Sequence, residues 1–409
     1  MGDSTTSRTS DRMVVFCQHA LADPLVAPLM LDYVLRLQER APHRRVLFIT
    51  EEPPSAPSTD DLLERLDNAR ITWMPLRYDV RKRQWWQRIV NMLRMLAAAR
   101  KFVRHHPRTW MVGYLSYGGT YAIIAQILGL GPCMVVCFEP HSRYMVDLGM
   151  WRAGSIRTRV VSAFERWQMR WAKAMIVPTR AVQALALEQR PRGEVVLHGI
   201  TIDVRSALFD AEARRRIRDE HALGDAITFV YVGKFGGIYH SVDAYIRFAQ
   251  QLVEVDPTFR FLVITQTAEI DRIRAHNAYP ALQRYLVLQP PVPPAILHQY
   301  LSAGDLGVVA IPPTPSQVFR TPVKSAHYWA AGLPLVIPAG VSDDADIAAI
   351  EGVGIVVPDI PVRDPASFVR EVRSLLATDR GGLRERCAAI ALKYRDTSTM
   401  VNELDRLLS

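Results

Sequence analysis

Short apolar runs rich in Val, Ile, Leu and Met recur along the chain, each followed by a stretch of helical spacing. In the first half they are MVVFC (13–17), VLFIT (46–50), ITWM (71–74), TWMVGY (109–114), MVVCF (134–138) and AMIVP (174–178). In the second half they are ITFVYV (227–232), FRFLVIT (259–265), YLVL (285–288), LGVVAI (306–311), PLVI (334–337) and GIVV (354–357). Continuous rather than alternating apolarity marks strands covered on both faces, hence parallel sheets with helices on either side. Two such series predict an α/β protein of two doubly wound, Rossmann-like domains. Ligands are expected at the carboxyl ends of the strands, in a cleft between the domains.

The boundaries follow from the same pattern. Residues 1–11 are polar, lack the apolar core of a signal peptide, and read as a loose tail. The first domain is placed at 12–195 and the second at 196–385, with a hinge near EQRPRGEVVLHGITIDVR (188–205). Residues 386–409 are expected to be helical and to pack back on the first domain. EEPPSAPSTDD (51–61) reads as a surface loop. YAIIAQILGLGPCMVVCF (121–138) is apolar enough to suggest a membrane span, but Gly129, Gly131 and Pro132 break it into a buried helix, a turn and a buried strand.

Composition narrows the class. With 409 residues and 49% hydrophobic content, the chain can bury two large cores and is not a disordered protein. A formal net charge of +9 points to an anionic partner: a nucleotide, a phosphate-rich lipid surface or a nucleic acid. Cys17, Cys133, Cys137 and Cys387 have neither metal-site nor disulfide-framework spacing, which fits a reduced cytoplasmic setting.

Two stretches carry candidate chemistry. FVYVGKFGGIYHSVDAYIRFAQ (229–250) reads as a strand ending at Gly233, a glycine-containing loop and a helix starting near Ser241. Such a loop can present backbone N–H groups to a phosphate, with Lys234 at the strand tip, or it can be a tight turn with a solvated lysine. RTPVKSAHYWAAGLPLVIP (320–338) reads as a helix capped by Thr321, with Pro322 at its first position and Gly332 at its end. Lys324 then sits in the first turn, where the helix dipole disfavours a cation. An anion between the lysine and the helix amides removes that conflict; extension of Lys324 into solvent is the plainer alternative.

The block GVVAIPPTPSQVFRTPVKSAHYWAAGLPLVI resembles the nucleotide-sugar site of GT-B glycosyltransferases of the family 4 type. The form P-T-K-x-x-E-Y-x-A-x-G-x-P-V-I occupies that site in the family. YVGKFGGIY is similar to the start of their second domain, and VVCFEPHSRYMVDLGMW (135–151) to their acceptor-side strand and loop. The resemblance implies retaining glycosyl transfer from a nucleotide-diphosphate sugar. The basic first domain suits a glycan, lipid-linked or other cell-envelope acceptor, and cationic side chains with helix amides could serve the leaving diphosphate without a metal. Lys324 and Lys234 would meet the diphosphate and His141 the sugar. Gly233, Gly236, Gly237, Tyr239, Arg320, Thr321, His327 and Ser342 would line the donor site, and Glu139 and Arg143 the acceptor side.

The sequence also departs from that pattern. The family often has two glutamates separated by seven residues; His327 stands at the second position and Phe319 at the first. An imidazole can still hydrogen-bond a ribose hydroxyl. The usual Gly-Gly turn after the first strand is replaced by CQHALADP (17–24), whose backbone cannot approach a phosphate as closely. These departures motivate two alternatives: a catalytically silent scaffold that binds a nucleotide or partner, and a nucleotide-sugar epimerase or hydrolase.

Two further signals remain. Asp344 and Asp346 have a D-x-D spacing that could hold Mg²⁺, but they read better as acids opening a helix capped by Ser342. No metal or cofactor is expected beyond the donor substrate. Residues 77–108 hold ten Lys/Arg and one Asp. There Trp86, Ile89, Val90, Leu93, Leu96 and Ala97 make one helical stripe, with Arg88, Asn91, Arg94 and Lys101 largely opposite. That stripe reads either as the core face of a helix or as a contact with an anionic membrane surface. Nucleic acid is not expected, because the aromatics form no stacking platform. The expected place is the cytoplasm, peripheral on the inner face of the membrane.

Overall fold

The computed structural model describes residues 12–23, 25–54, 60–78, 85–104, 106, 108–377 and 379–409. The tail reading for residues 1–11 and the middle of the 51–61 loop lie outside the described residues. The chain forms two compact units, one of Met1–Ile200 with Thr397–Ser409 and the other of Thr201–Asp396.

In the first unit the strands are β1 (Arg12–Phe16), β2 (Arg45–Glu52), β3 (Ile71–Arg77), β4 (Trp110–Tyr114), β5 (Cys133–Val136), β6 (Ala174–Val177) and β7 (Glu194–Leu197). Its helices are α1 (Asp32–Arg40), α2 (Asp60–Asn68), α3 (Trp85–Val103), α4 (Leu115–Ile127), α5 (His141–Asp147), α6 (Ile156–Trp171) and α7 (Arg180–Glu188). All strands are parallel, in the order β3-β2-β1-β4-β5-β6-β7. Every residue of β5 and β6 is buried, as continuous apolar runs require.

The second unit repeats the plan. Its strands are β8 (Thr228–Val232), β9 (Arg260–Ile264), β10 (Leu286–Gln289), β11 (Leu306–Val308), β12 (Leu335–Pro338) and β13 (Gly354–Val357), in the order β10-β9-β8-β11-β12-β13. Its helices are α8 (Ala211–Glu220), α9 (Val242–Val255), α10 (Thr267–Arg274), α11 (Tyr279–Leu282), α12 (Leu297–Ser302), α13 (Val323–Ala330), α14 (Asp344–Ile350), α15 (Pro365–Ala377) and α16 (Arg380–Arg395). Phe229, Phe248, Phe259, Phe261 and Phe368 pack edge-to-face and stacked in its core.

In both sheets the strand order reverses once, between β1 and β4 and between β8 and β11. In doubly wound sheets the helices on the two sides of that reversal leave for opposite faces, which opens a crevice beyond the strand ends where ligands bind.

Three features differ from the sequence reading. β7 lies inside the stretch read as a hinge; it is an edge strand, half-buried, so EVVL lacks the long apolar run of its neighbours. The final helical stretch breaks at Asp396, and only its second half, α17 (Thr397–Leu408), belongs to the first unit. There Asp405 pairs with Arg44 at 3.3 Å and Thr399 meets His198 at 2.8 Å.

The third difference is the orientation of α3. Asn91, Met95, Leu96, Ala99 and Val103 are its buried positions, while Trp86, Ile89 and Leu93 face solvent. Asn91 can be interior because its amide donates to the buried Glu51 carboxylate at 3.2 Å and to the Arg77 carbonyl. The apolar stripe is therefore not the core face. As expected, residues 121–138 are the end of α4, a turn at Gly129 and Gly131, and β5. Among the described residues no helix is long and apolar enough to cross a membrane.

Candidate functional site

The crevice of the second unit lies beyond β8 and β11, where the two stretches with candidate chemistry meet. α13 follows β11 and is held against both strand ends by Tyr328. Its hydroxyl accepts the Val232 N–H at 2.9 Å and donates to the Val308 carbonyl at 3.2 Å. The ring lies on Gly307, where a Cβ would come 2.3 Å from a ring carbon, so only glycine fits.

The helix begins one residue later than expected. Pro322 occupies the cap position with extended ψ of 121°, so Thr321 lies buried one residue ahead of the cap rather than at it. Lys324 remains in the first turn and points inward, 9% exposed. Its Nζ sits 4.2 Å from the Tyr239 ring centroid and 4.8 Å from that of Tyr231, with no hydrogen-bond partner among the described residues. Gly233 has φ +135°, which favours glycine, and a Cβ there would also crowd that Nζ at 3.0 Å. Burial lowers the lysine pKa from 10.5 to about 7. Cation–π contacts alone do not replace the hydration of an ammonium. A buried ammonium without a hydrogen-bond partner among the described residues, at a strand-end crevice, is chemically suited to an anion.

The glycine loop supplies shape more than donors. The Gly233 N–H is bound to the Ile264 carbonyl at 3.1 Å and the Gly236 N–H to the His240 carbonyl at 2.9 Å. Gly236 and Gly237, at φ +76° and +64°, turn the chain back toward β11, where the His240 N–H reaches the Ala310 carbonyl. Lys234 is exposed, and its carbonyl accepts the Tyr231 hydroxyl. Arg320 is half-buried close enough to Tyr239 to bias its phenol electrostatically. His327 lies one turn beyond Lys324, and burial pushes its imidazole down to about 4, so it is neutral at pH 7.

Ser342, at the tip beyond β12, does not cap α14; Asp343 holds the cap position. Ser342 adopts φ +60°, and its hydroxyl is buried without a hydrogen-bond partner among the described residues. The D-x-D pair is split. Asp344 is fully buried in an ion pair with Arg395, while Asp346 is exposed. The two carboxylates do not converge on one point.

In the first unit the crevice lies beyond β1 and β4. Arg88, expected on a solvated face, turns inward and stacks on Tyr78 (4.8 Å) and Tyr117 (5.1 Å), donating to the Tyr78 hydroxyl at 2.7 Å. With its amide correctly oriented, Gln18 accepts from the same guanidinium at 2.9 Å. Glu51 and Glu52, read as loop, are buried at the end of β2. Glu52 accepts the Leu21 N–H at 2.8 Å, fixing the loop that replaces the Gly-Gly turn. Burial raises the Glu51 pKa, and its Oε2 has no partner among the described residues.

His141 opens α5, boxed by Tyr117, Tyr144 and Trp151 at centroid distances of 5.3–6.4 Å. Its Nδ1 is 3.7 Å from a Glu139 oxygen. Arg143 is exposed on the same helix. Sequence reasoning missed Tyr231, Tyr328, Arg88 and Glu51. Only the position of Glu51 and Glu52 directly after an apolar strand offered a signal.

The chain was compared with solved structures over its full length. HepE of Anabaena, in complex with UDP, has a TM-score of 0.68 at 12% identity, covering 97% of this chain and 99% of that one. This is the GT-B fold. Sucrose-phosphate synthase of Thermosynechococcus elongatus shares it with a TM-score of 0.66 at 15% identity, covering 97% of each chain. The GT-B structure of WaaG, a glycosyltransferase of lipopolysaccharide biosynthesis, matches at 0.61 and 14% identity, covering 97% and 99%. At such identities what is shared is the fold. No family model matches the sequence, and no curated protein does.

Proposed function

We propose that this protein is a glycosyltransferase that moves a sugar from a nucleotide-diphosphate donor, bound by the second unit, to a glycan, lipid-linked or other cell-envelope acceptor bound by the first. The reading rests on one observation: the unpaired Lys324 ammonium, buried beside Gly233 at the sheet reversal of a GT-B unit. HepE, which shares the fold, binds UDP, UDP-glucose, and UDP with glucose. Transfer is retaining and metal-independent in this proposal. Asp344 is already committed to Arg395, and a cationic lysine with helix N-terminal amides serves a leaving diphosphate electrostatically.

In the step itself, an acceptor hydroxyl attacks the anomeric carbon from the face the diphosphate leaves. The carbon–oxygen bond to phosphate breaks as the new glycosidic bond forms. The hydroxyl proton passes to the departing phosphate oxygen, giving a glycoside and a nucleoside diphosphate. Lys324 stabilises the charge that grows on that oxygen. His141, in its aromatic box, lies with the acceptor, and neutral His327 offers a hydrogen bond to the nucleotide ribose. Lys234, Arg320, Thr321, Tyr239 and Ser342 complete the donor side, with Glu139 and Arg143 on the acceptor side. The enzyme would act in the cytoplasm at the inner membrane face.

A thermal-shift panel of UDP-, GDP- and ADP-sugars tests the reading, followed by product analysis with candidate acceptors. One donor at about 100 times its Kd should stabilise the protein by about 2.7 kcal/mol. Stabilisation by no nucleotide sugar refutes the proposal. Binding without release of nucleoside diphosphate, with every acceptor tried, would favour the silent scaffold that His327 suggests.

A further inference from the structure

We propose that the outer face of the α3–α4–α6 layer is a docking surface for an anionic lipid bilayer, with α6 as its principal contact. The proposal rests on the first unit alone and is independent of the donor chemistry. On α6, Ile156 is 83% exposed, Val160 48%, Trp167 48% and Trp171 37%. At 100° per residue these four fall within an arc of about 60°. Arg159, Arg166 and Arg170 border that arc on one side and Arg157 on the other, all exposed.

Between residues 148 and 173 the only acid is Glu165. It is buried, accepting hydrogen bonds from the Ser116 hydroxyl and the Ser142 N–H. On α6 itself the exposed surface therefore presents apolar side chains bordered by arginines, the nearest exposed acids along the chain being Asp147 and Glu188 on the flanking helices α5 and α7. Arg192 stacks 3.8 Å from the Trp171 ring centroid, holding charge against the apolar stripe.

α4 contacts both α3 and α6, so the three helices form one layer. On α3 the apolar stripe Trp86, Ile89 and Leu93 is also solvent-facing, at 52%, 43% and 57% exposure, and residues 85–104 contain no acid. Two helices of one layer thus leave apolar stripes uncovered and keep acids off their surfaces. An apolar stripe alone would suit a second copy of the chain. Pairing two such faces, however, would bring arginines together with no exposed carboxylate on α3 or α6 to meet them. A bilayer bearing anionic headgroups satisfies both the apolar arc and its cationic border.

The test uses the full chain and sedimentation with vesicles of phosphatidylcholine, alone or with about a third phosphatidylglycerol. Binding should appear with the anionic vesicles and fall as NaCl rises from about 0.05 to about 0.5 M. Tryptophan emission should shift to the blue on binding. Arg159→Gln with Arg166→Gln should lower partitioning about 30-fold, and Ile156→Asp with Trp167→Asp should abolish it. Ile350→Asp, at a 77% exposed position in the second unit, should change nothing. Equal recovery with neutral vesicles, recovery with neither, or wild-type binding by the two double variants overturns the proposal. So does a wild-type dimer, seen by sedimentation equilibrium, that Ile156→Asp with Trp167→Asp converts to monomers.

Discussion

Replacing Lys324 by methionine should stabilise the empty protein and cripple donor binding together. Burial takes the ammonium from 10.5 to about 7. Between those values the unfolded chain holds a proton that the folded chain gives up, so this lysine makes stability rise with pH from about 7 to about 10.5. Below pH 7 the full cost applies, of the order of 5 kcal/mol at 1.36 kcal/mol per tenfold change in proton affinity. The Tyr239 and Tyr231 rings offset about half of that. Methionine fills the same channel without charge, so Lys324→Met should gain about 2 kcal/mol, or about 4–8 °C in Tm for a unit of this size. The gain should be largest near pH 6 and vanish by about pH 10.

Donor affinity should move the other way. A diphosphate restores the proton to Lys324, so wild-type affinity for a nucleoside diphosphate should weaken as pH rises above about 7. Lys324→Met should lose about 1.5–3 kcal/mol of binding and the pH dependence with it. Differential scanning calorimetry at several pH values, with and without the nucleotide, reads both effects. A variant that melts below wild type at pH 6, yet is stabilised equally by nucleotide, would refute the reasoning.

Three other outcomes are expected. Transfer activity should persist in EDTA; complete loss restored by Mg²⁺ or Mn²⁺ would refute metal-independent transfer. Tyr328→Phe should cost about 1–3 kcal/mol in urea unfolding, because the Val232 N–H loses its partner in a dry interior; a neutral effect would mean the hydroxyl does not pin α13. Asp344→Ala should cost about 3–5 kcal/mol by leaving Arg395 buried and unpaired, and adding Arg395→Met should recover most of it. No recovery in the double variant would show that Asp344 acts through something other than that pair.

The strands could be read from the sequence because a parallel strand buried on both faces is a contiguous apolar run, and such a run needs no knowledge of its neighbours. β7 escaped because an edge strand is covered on one side only. For α3 the spacing correctly grouped Trp86, Ile89 and Leu93 on one face. Periodicity says which residues share a face and not which face meets the core. That choice was made by Asn91, whose partner Glu51 is 40 residues away in the chain. Lys324 was legible for a different reason: a cation in the first turn of a helix is a local inconsistency, visible without the fold. The aromatic walls around it were not, since Tyr231 and Tyr239 reach Lys324 only through the sheet order that sets β8 beside β11.

One topology has thus been given two chemistries at the same place. In the second unit the crevice is built from glycine and an unpaired lysine, a pairing of close backbone approach with positive charge that suits a phosphate. In the first unit the loop after β1 has no glycine, and Glu52 takes up the Leu21 N–H that an anion would need. Glu51 adds a buried carboxyl, and seating a phosphate beside it would cost either like-charge repulsion or uptake of a proton by the carboxyl, whose pKa burial already raises. What remains there is an acceptor oxygen, a guanidinium clamped by two tyrosines, and the aromatic box of His141. Such a set suits hydroxyl groups and ring faces of an uncharged polyol. The loss of the Gly-Gly turn therefore does not count against transfer. It removes an anion seat from the unit proposed to hold the sugar acceptor, and it leaves the second unit's crevice, at Lys324, as the better seat for a diphosphate.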